Sequence, residues 1–157
     1  MAVLRFIGLA LLCLHAAVQA ADSLGEAEKL LGAEAGVRRG VQMLQRLAKS
    51  REPGDAVAAA VRLARHYRET GQAALSHDVL REWSAFSPEN LAMPRVLAFL
   101  ESGLALAADG RVREALKRLD YVRNQGAPGL VRATALAAYG EVAEISGDPA
   151  TAMGYYR

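Results

Sequence analysis

Three arginines recur at every third position of one segment, at Arg62, Arg65 and Arg68. Residues three apart share one face of a helix, so this spacing predicts a basic stripe. Guanidinium groups bind carboxylates through paired, charge-assisted hydrogen bonds. The stripe therefore predicts contact with a partner protein. The alternative is a solvated helix face whose arginines pair with Glu69 and neighbouring residues.

Carboxylates also occur in pairs, as at Glu141 and Glu144, one helical turn apart. General acid–base catalysis would need a pocket that separates their pKa values, and the sequence indicates none. The sequence contains no phosphate-binding glycine loop, no zinc-spaced cysteine or histidine cluster and no nucleophile elbow. His66 and His77 do not form a metal-binding motif. We therefore predict a protein that is not an enzyme and uses no cofactor or metal ion.

The first twenty residues have the pattern of a secretory signal peptide. Arg5 precedes an apolar run from Phe6 to Leu14, and small residues stand at Val18 and Ala20. We predict cleavage after Ala20 and a periplasmic or secreted location. One alternative is an uncleaved membrane anchor, for which the apolar run is short. The other is a lipoprotein, whose signal requires a small residue before the cysteine, whereas Leu12 precedes Cys13.

Composition limits the partners of the remaining chain. The sequence is 52% hydrophobic and 23% charged, which fits one folded soluble domain. Cleavage after Ala20 removes the single cysteine and lowers the formal net charge from +2 to +1. Such a balance provides no general attraction to nucleic acid or to an anionic membrane. We expect a fold held by packing alone, without nucleic-acid binding or stable membrane insertion.

The elements that carry these residues follow from apolar spacing of three and four, which predicts helices throughout. A small residue, a turn glycine and a second small residue recur at intervals of seven and five. We expect each glycine to end a helix and each small residue to lie where two helices touch. The helix that follows Gly71 begins at about Ala73, and its apolar set is Leu75, Val79, Leu80, Trp83 and Phe86. The three copies are Ala64–Gly71–Ser76, Gly103–Gly110–Ala115 and Gly140–Gly147–Ala152.

This register resembles the tetratricopeptide repeat (TPR), a helix-turn-helix unit of about 34 residues. The resemblance covers most of the chain after Ala20 and is strongest from Val57 onward. It implies an all-α, right-handed αα-superhelix of three to four repeats. The implied divisions are a signal peptide (1–20), a degenerate N-terminal helical hairpin (21–56), repeat 1 (57–90), repeat 2 (91–129) and repeat 3 with an incomplete second helix (130–157).

The resemblance also implies a binding surface, because the first helix of each repeat lines a concave groove in that family. By analogy with that family, we expect a non-catalytic scaffold or adaptor of the cell envelope that holds a peptide or helix of a partner protein in the groove. The expected partner-binding residues grade from basic through apolar to acidic. They are Arg62, Arg65, Arg68, Leu97, Leu100, Leu104, Glu141 and Glu144.

Two alternatives stay open at this point. The repeats are longer than in the family, so a different αα-solenoid is one of them. The other is a structural spacer or dimerisation module. Since Arg157 falls midway through a predicted helix, the chain is expected to be the front of a longer array, or else to cover that end by self-association.

Overall fold

The computed structural model describes residues 23–85, 93–124 and 129–157, and this part of the chain is helical without any strand. The predicted signal peptide lies outside the described residues. Residues 23–31 form helix α1, and a short 3-10 helix (Glu34–Gly36) follows. The remaining helices are α2 (Val37–Leu47), α3 (Pro53–Glu69), α4 (Ala73–Ser84), α5 (Met93–Ala108), α6 (Val112–Asn124), α7 (Gly129–Ile145) and α8 (Pro149–Tyr155).

Three of the turns between helices are built on glycine, as the repeating pattern predicts. Gly71, Gly110 and Gly147 have φ angles of 76°, 78° and 79°, in the left-handed region that favours glycine. At the first turn the Gly71 N–H donates to the Arg68 carbonyl at 3.0 Å and the Gln72 N–H donates to the Tyr67 carbonyl at 2.7 Å. This pair of bonds is the Schellman motif, and the other two glycines repeat it.

The small residues of the pattern lie at helix contacts, also as predicted. Ala64, Ser76 and Ala115 are 0% exposed. A Cβ atom on Gly103 would lie 2.7 Å from the Leu119 side chain of α6. A Cβ atom on Gly140 would lie 2.2 Å from the Tyr156 ring. The absence of a side chain at both glycines is therefore what allows these neighbours to approach.

The described residues fall into two compact units, divided between Ala59 and Ala60 within α3. In the N-terminal unit, α1 and α2 approach closely at Gly40, where a Cβ atom would lie 3.0 Å from the Ala27 carbonyl oxygen. Ala27 and Leu44 are both 0% exposed there. This unit thus has its own small apolar interior.

The second unit, from Ala60 onward, contains the larger core. Helix α5 packs against α4, α6 and α7, and α7 packs against α6 and α8. Because α5 is surrounded in this way, almost all of it is buried from Val96 to Ala107. The largest buried side chains of this unit include Leu63, Leu80, Leu119, Val96, Val122 and Val142.

Some predicted core residues lie nearer the surface. Leu80 is 0% exposed as expected, but Leu75 is 43% exposed and Trp83 is half-buried. Leu75 lies on a different side of α4 from Leu80. The expectation that α4 buries its apolar set was therefore wrong for Leu75, because an apolar residue at helical spacing is buried only where a neighbouring helix covers it. Phe86, the last residue of that set, lies outside the described residues.

Side-chain hydrogen bonds between helices add to the apolar contacts in the second unit. Arg118 of α6 donates to the Ser84 carbonyl at the end of α4 (3.0 Å) and to the Ser102 hydroxyl of α5 (2.7 Å). Burial lowers the pKa of Arg118. The Tyr139 hydroxyl of α7 donates to Asp120 of α6, and burial followed by this bond raises the pKa of Tyr139. The positive charge of Arg118 at the C-terminal end of α4 also interacts favourably with the dipole of that helix.

Candidate functional site

A buried carboxylate is the centre of the polar arrangement on α3, α5 and α7. Glu101 lies in the middle of α5 and is 2% exposed. The Arg68 Nε–H donates to its Oε1 atom at 2.7 Å. The Arg65 Nε atom lies 3.5 Å from its Oε2 atom. Because Arg65 and Arg68 are three apart on α3, both can face this one carboxylate.

Arg68 extends the arrangement to a third helix. Its Nη2 atom lies 3.3 Å from the Oε2 atom of Glu141 on α7. The Arg68 side chain is only 11% exposed, whereas that of Glu141 is 42% exposed. The Arg68 guanidinium group therefore connects α3, α5 and α7. We call Arg65, Arg68, Glu101 and Glu141 the four-residue network.

The pKa values of Arg68 and Glu141 are both raised, which favours the charged form of the arginine and the neutral form of the glutamate. Burial acts to lower the pKa of Arg68, but the hydrogen bond and charge of Glu101 outweigh it, so the net pKa is raised. Burial raises the pKa of Glu141; Arg68 opposes this shift and the charge of Glu101 adds to it. Arg68 therefore stays charged, while Glu141 becomes easier to protonate than an ordinary glutamate.

The predicted partner-binding residues divide between surface and core. Arg65 has a 55% exposed side chain, Glu144 is exposed, and Arg62 and Leu97 are half-buried. Leu100 and Leu104 are 2% and 4% exposed and belong to the hydrophobic core. In this structure those two leucines have almost no surface to offer a partner, because α5 lies between α4, α6 and α7.

The sequence interpretation gave Glu101 no role of its own, although a signal for it was present. Between Val96 and Ala108, Glu101 is the only charged residue in an otherwise apolar helix. A charge at that place must be paired if the helix is buried. Its partners could not be named from the sequence, because Arg68 and Glu141 come from distant segments.

Chemically, the network can hold and present charge. Arg65 and Glu141 are its more exposed groups and have opposite charges, and the buried Arg68–Glu101 pair contacts both of them. Glu144, outside the network and one turn beyond Glu141 on α7, adds an exposed carboxylate. Among the described residues, no cluster of three or more histidine, cysteine or carboxylate side chains could hold a metal ion. Within the same ranges, none of the helices has the length and apolar character needed to span a membrane.

Comparison with known proteins gives no family assignment. No protein-family model matches the chain, and no curated protein or solved structure is significantly similar to it.

Proposed function

We propose that this protein is a non-catalytic adaptor of the cell envelope. It holds a peptide or helix of a partner protein against the surface that carries Arg65, Glu141 and Glu144, which we call the charged face. The sequence resemblance to TPR proteins supports this proposal, because the first helices of such repeats line the binding groove. The predicted signal peptide supports the location.

The observation that carries the proposal is the burial of Glu101 between two arginines. Taking charged groups out of water costs several kcal/mol per ion, on the order of what their attraction returns. An apolar residue at position 101 would suit the rest of α5 better. A charged network of this kind is therefore poorly explained by stability alone and fits a surface that orients charges for recognition.

Glu141 adds to this argument. Its raised pKa means that the ionised form is disfavoured in the fold, even though Arg68 lies 3.3 Å away. A partly exposed carboxylate whose pKa is shifted by burial is a candidate for a functional site. We expect the bound segment to place a basic residue near Glu141 and Glu144 and an acidic residue near Arg65.

A site-specific photocrosslinker tests the proposal in living cells. The crosslinking residue replaces Ala137, which is exposed on α7 one turn before Glu141. A crosslinker at Lys117, exposed on α6, is the control. We expect a discrete adduct at position 137, with the crosslinked peptides coming from one contiguous partner segment. Equal labelling at both positions, or no adduct at position 137, would contradict the proposal.

A charge-neutralising variant then tests the named residues. Arg65→Gln combined with Glu144→Gln removes both exposed charges, and the adduct at position 137 should fall at least several-fold. The matched control neutralises Arg111 and Glu114, an exposed pair at the start of α6 with 2.6 Å between the Arg111 Nη2 and Glu114 Oε2 atoms; Arg111 directly precedes the helix. Arg68 is not suitable for this experiment, because it is 11% exposed and its loss would disturb folding.

A second candidate function, self-association, is favoured by a separate observation. Large apolar side chains are exposed on α7 and immediately around α8. Light scattering over a range of concentrations distinguishes the candidates, since an adaptor with a free charged face stays monomeric. These side chains are Leu130 (71% exposed), Met153 (57%), Tyr156 (49%) and Ile145 (40%).

A further inference from the structure

The N-terminal unit carries a basic surface that the proposed adaptor function does not use. From Val37 to Arg51 the sequence has five basic residues and no acidic one. All five are exposed. The net charge of the whole chain is only +2, so this segment is far more basic than the protein around it. The five are Arg38, Arg39, Arg46, Lys49 and Arg51.

Helix α2 separates its basic and apolar residues by face. Leu44 is 0% exposed, and Val37 and Val41 lie on the same side of the helix. Arg38 and Arg46 project from the opposite side. The apolar side is already packed within the unit, so the helix offers its basic side outward rather than an apolar side for insertion.

The arginines of this surface are only lightly engaged within the protein. Arg39 lies 3.6 Å from Glu26, and both side chains are more than half exposed, at 71% and 55%. Such exposed ion pairs contribute little to stability, so a competing anion can readily replace the carboxylate. The Arg46 Nε–H donates to the Gln42 carbonyl at 3.3 Å, which holds the side chain along the helix surface. The Arg46 guanidinium group is exposed and, among the described residues, forms no ion pair with a carboxylate, so its charge is available to an external anion.

A cleft opens beside the basic side of α2. Its volume is about 230 Å³, and Ser23, Met43, Arg46 and Leu47 line it. Two of these residues are apolar and half-buried, while Arg46 is exposed at its edge. The cleft is smaller than a typical pocket for a drug-sized molecule, which is roughly 300–1,000 Å³. Its size suits one apolar chain segment next to an anionic group.

We propose that the basic surface of α2 docks on an anionic phospholipid membrane, with phosphate groups on the arginines and an acyl segment against Met43 and Leu47. Three of the five basic residues lie on α2, and Lys49 and Arg51 follow its end. Clusters of four to eight lysines and arginines are typical of such binding. The apolar cleft beside Arg46 favours a lipid over an acidic protein segment, because a lipid joins an anion to a hydrocarbon chain. This surface belongs to the N-terminal unit and is independent of the charged face.

Vesicle co-sedimentation tests this proposal with the protein as the expressing cell processes it. The probes are vesicles of phosphatidylcholine alone and of phosphatidylcholine with phosphatidylglycerol in equal parts, at about 0.1 M salt. The test variant carries Arg38→Gln, Arg39→Gln and Arg46→Gln. The control variant carries Arg95→Gln, Arg113→Gln and Lys117→Gln, which are exposed positions in the second unit. Both variants lose three positive charges, and glutamine keeps helix propensity.

We expect binding to the anionic vesicles only, and a decrease as salt is raised. The α2 variant should bind roughly 100-fold more weakly, because it lacks three basic residues and each one near an anionic surface contributes about 1 kcal/mol. The control variant should bind as the unchanged protein does. Circular dichroism confirms that both variants are folded.

Two results would overturn the proposal. Equal weakening in both variants would mean that net charge, rather than the α2 surface, causes the binding. Absence of binding to the anionic vesicles would also overturn the proposal. If the protein instead bound immobilised polyglutamate, the partner of this surface would be an acidic protein segment. Neither result bears on the crosslinks at the charged face, so failure here is distinguishable from failure of the adaptor proposal.

Discussion

The pairing of Arg68 with Glu101 makes a quantitative prediction about stability. In Glu101→Met, Arg68 keeps only the Glu141 contact at 3.3 Å, while its side chain stays 11% exposed. In Arg68→Met, Glu101 at 2% exposure keeps only the Arg65 contact at 3.5 Å. Removing one partner of a buried ion pair typically costs about 3–5 kcal/mol. We expect about 3 kcal/mol for each single variant, because each remaining charge retains one weaker partner.

The double variant Arg68→Met with Glu101→Met should behave differently. With both charges gone, two apolar side chains replace the ion pair, and such replacements are often neutral or stabilising. We therefore expect its free energy of unfolding to lie within about 1 kcal/mol of the original, or above it. The coupling energy of the cycle would then be several kcal/mol.

Urea denaturation followed by the fluorescence of Trp83 measures this cycle. Trp83 is the only tryptophan and lies on α4, so its signal reports on the unit that contains the network. The control cycle uses Arg111 and Glu114, whose exposed side chains should couple by only about 0.2–0.5 kcal/mol. A coupling of Arg68 with Glu101 as small as that of the control would refute the reasoning.

Two further predictions concern Glu141 and the glycines of the pattern. Because the folded-state pKa of Glu141 is raised, its contribution to stability is present below its ordinary pKa and is lost as pH rises through the folded value. Glu141→Gln should therefore be at least as stable as the original protein at pH 7, and the difference in stability should shrink toward pH 4. Urea denaturation midpoints at both pH values measure this. A large loss of stability at pH 7 would contradict the prediction. Gly103→Ala should lose about 1 kcal/mol, since overpacking against Leu119 exceeds the gain in helix propensity. Gly154→Ala, with nothing within 4 Å, should instead be neutral or gain up to about 1 kcal/mol, and thermal unfolding that moves both variants the same way would show the contact to be unimportant.

The exposed apolar residues near α8 bear on the second candidate function. Tyr156 covers Gly140 with its ring and yet remains 49% exposed. Met153, on α8 just before Tyr156, is 57% exposed. Side chains of this size can pack against another surface, which is the reason to measure association before interpreting the crosslinks.

Helix positions were predictable because they depend on local features. The start of α4 at Ala73 and the turn at Gly71 follow from apolar spacing and from the conformational freedom of glycine. The burial of individual residues was less predictable. Leu75 and Leu104 are both apolar and correctly spaced, yet one is 43% and the other 4% exposed. The difference depends on which helix has neighbours on several sides, and the sequence does not state this.

The candidate site was predicted only in part. The stripe of Arg65 and Arg68 was visible from its three-residue spacing, and Glu141 was placed on the same surface by analogy with TPR proteins. The function of the chain as an adaptor remains a proposal, which the crosslinking experiment addresses.

The sequence by itself determined the all-helical fold, the three glycine turns and the small residues between helices, since each of these depends on side chains within a few positions of one another. Only the tertiary structure decided that Arg68 contacts Glu101 and Glu141, which are 33 and 73 positions away along the chain. The physical reason is that charges at such separations meet only when helix packing brings their backbones together. That packing results from the apolar contacts around α5 as a whole, and a pattern in any one segment does not contain it.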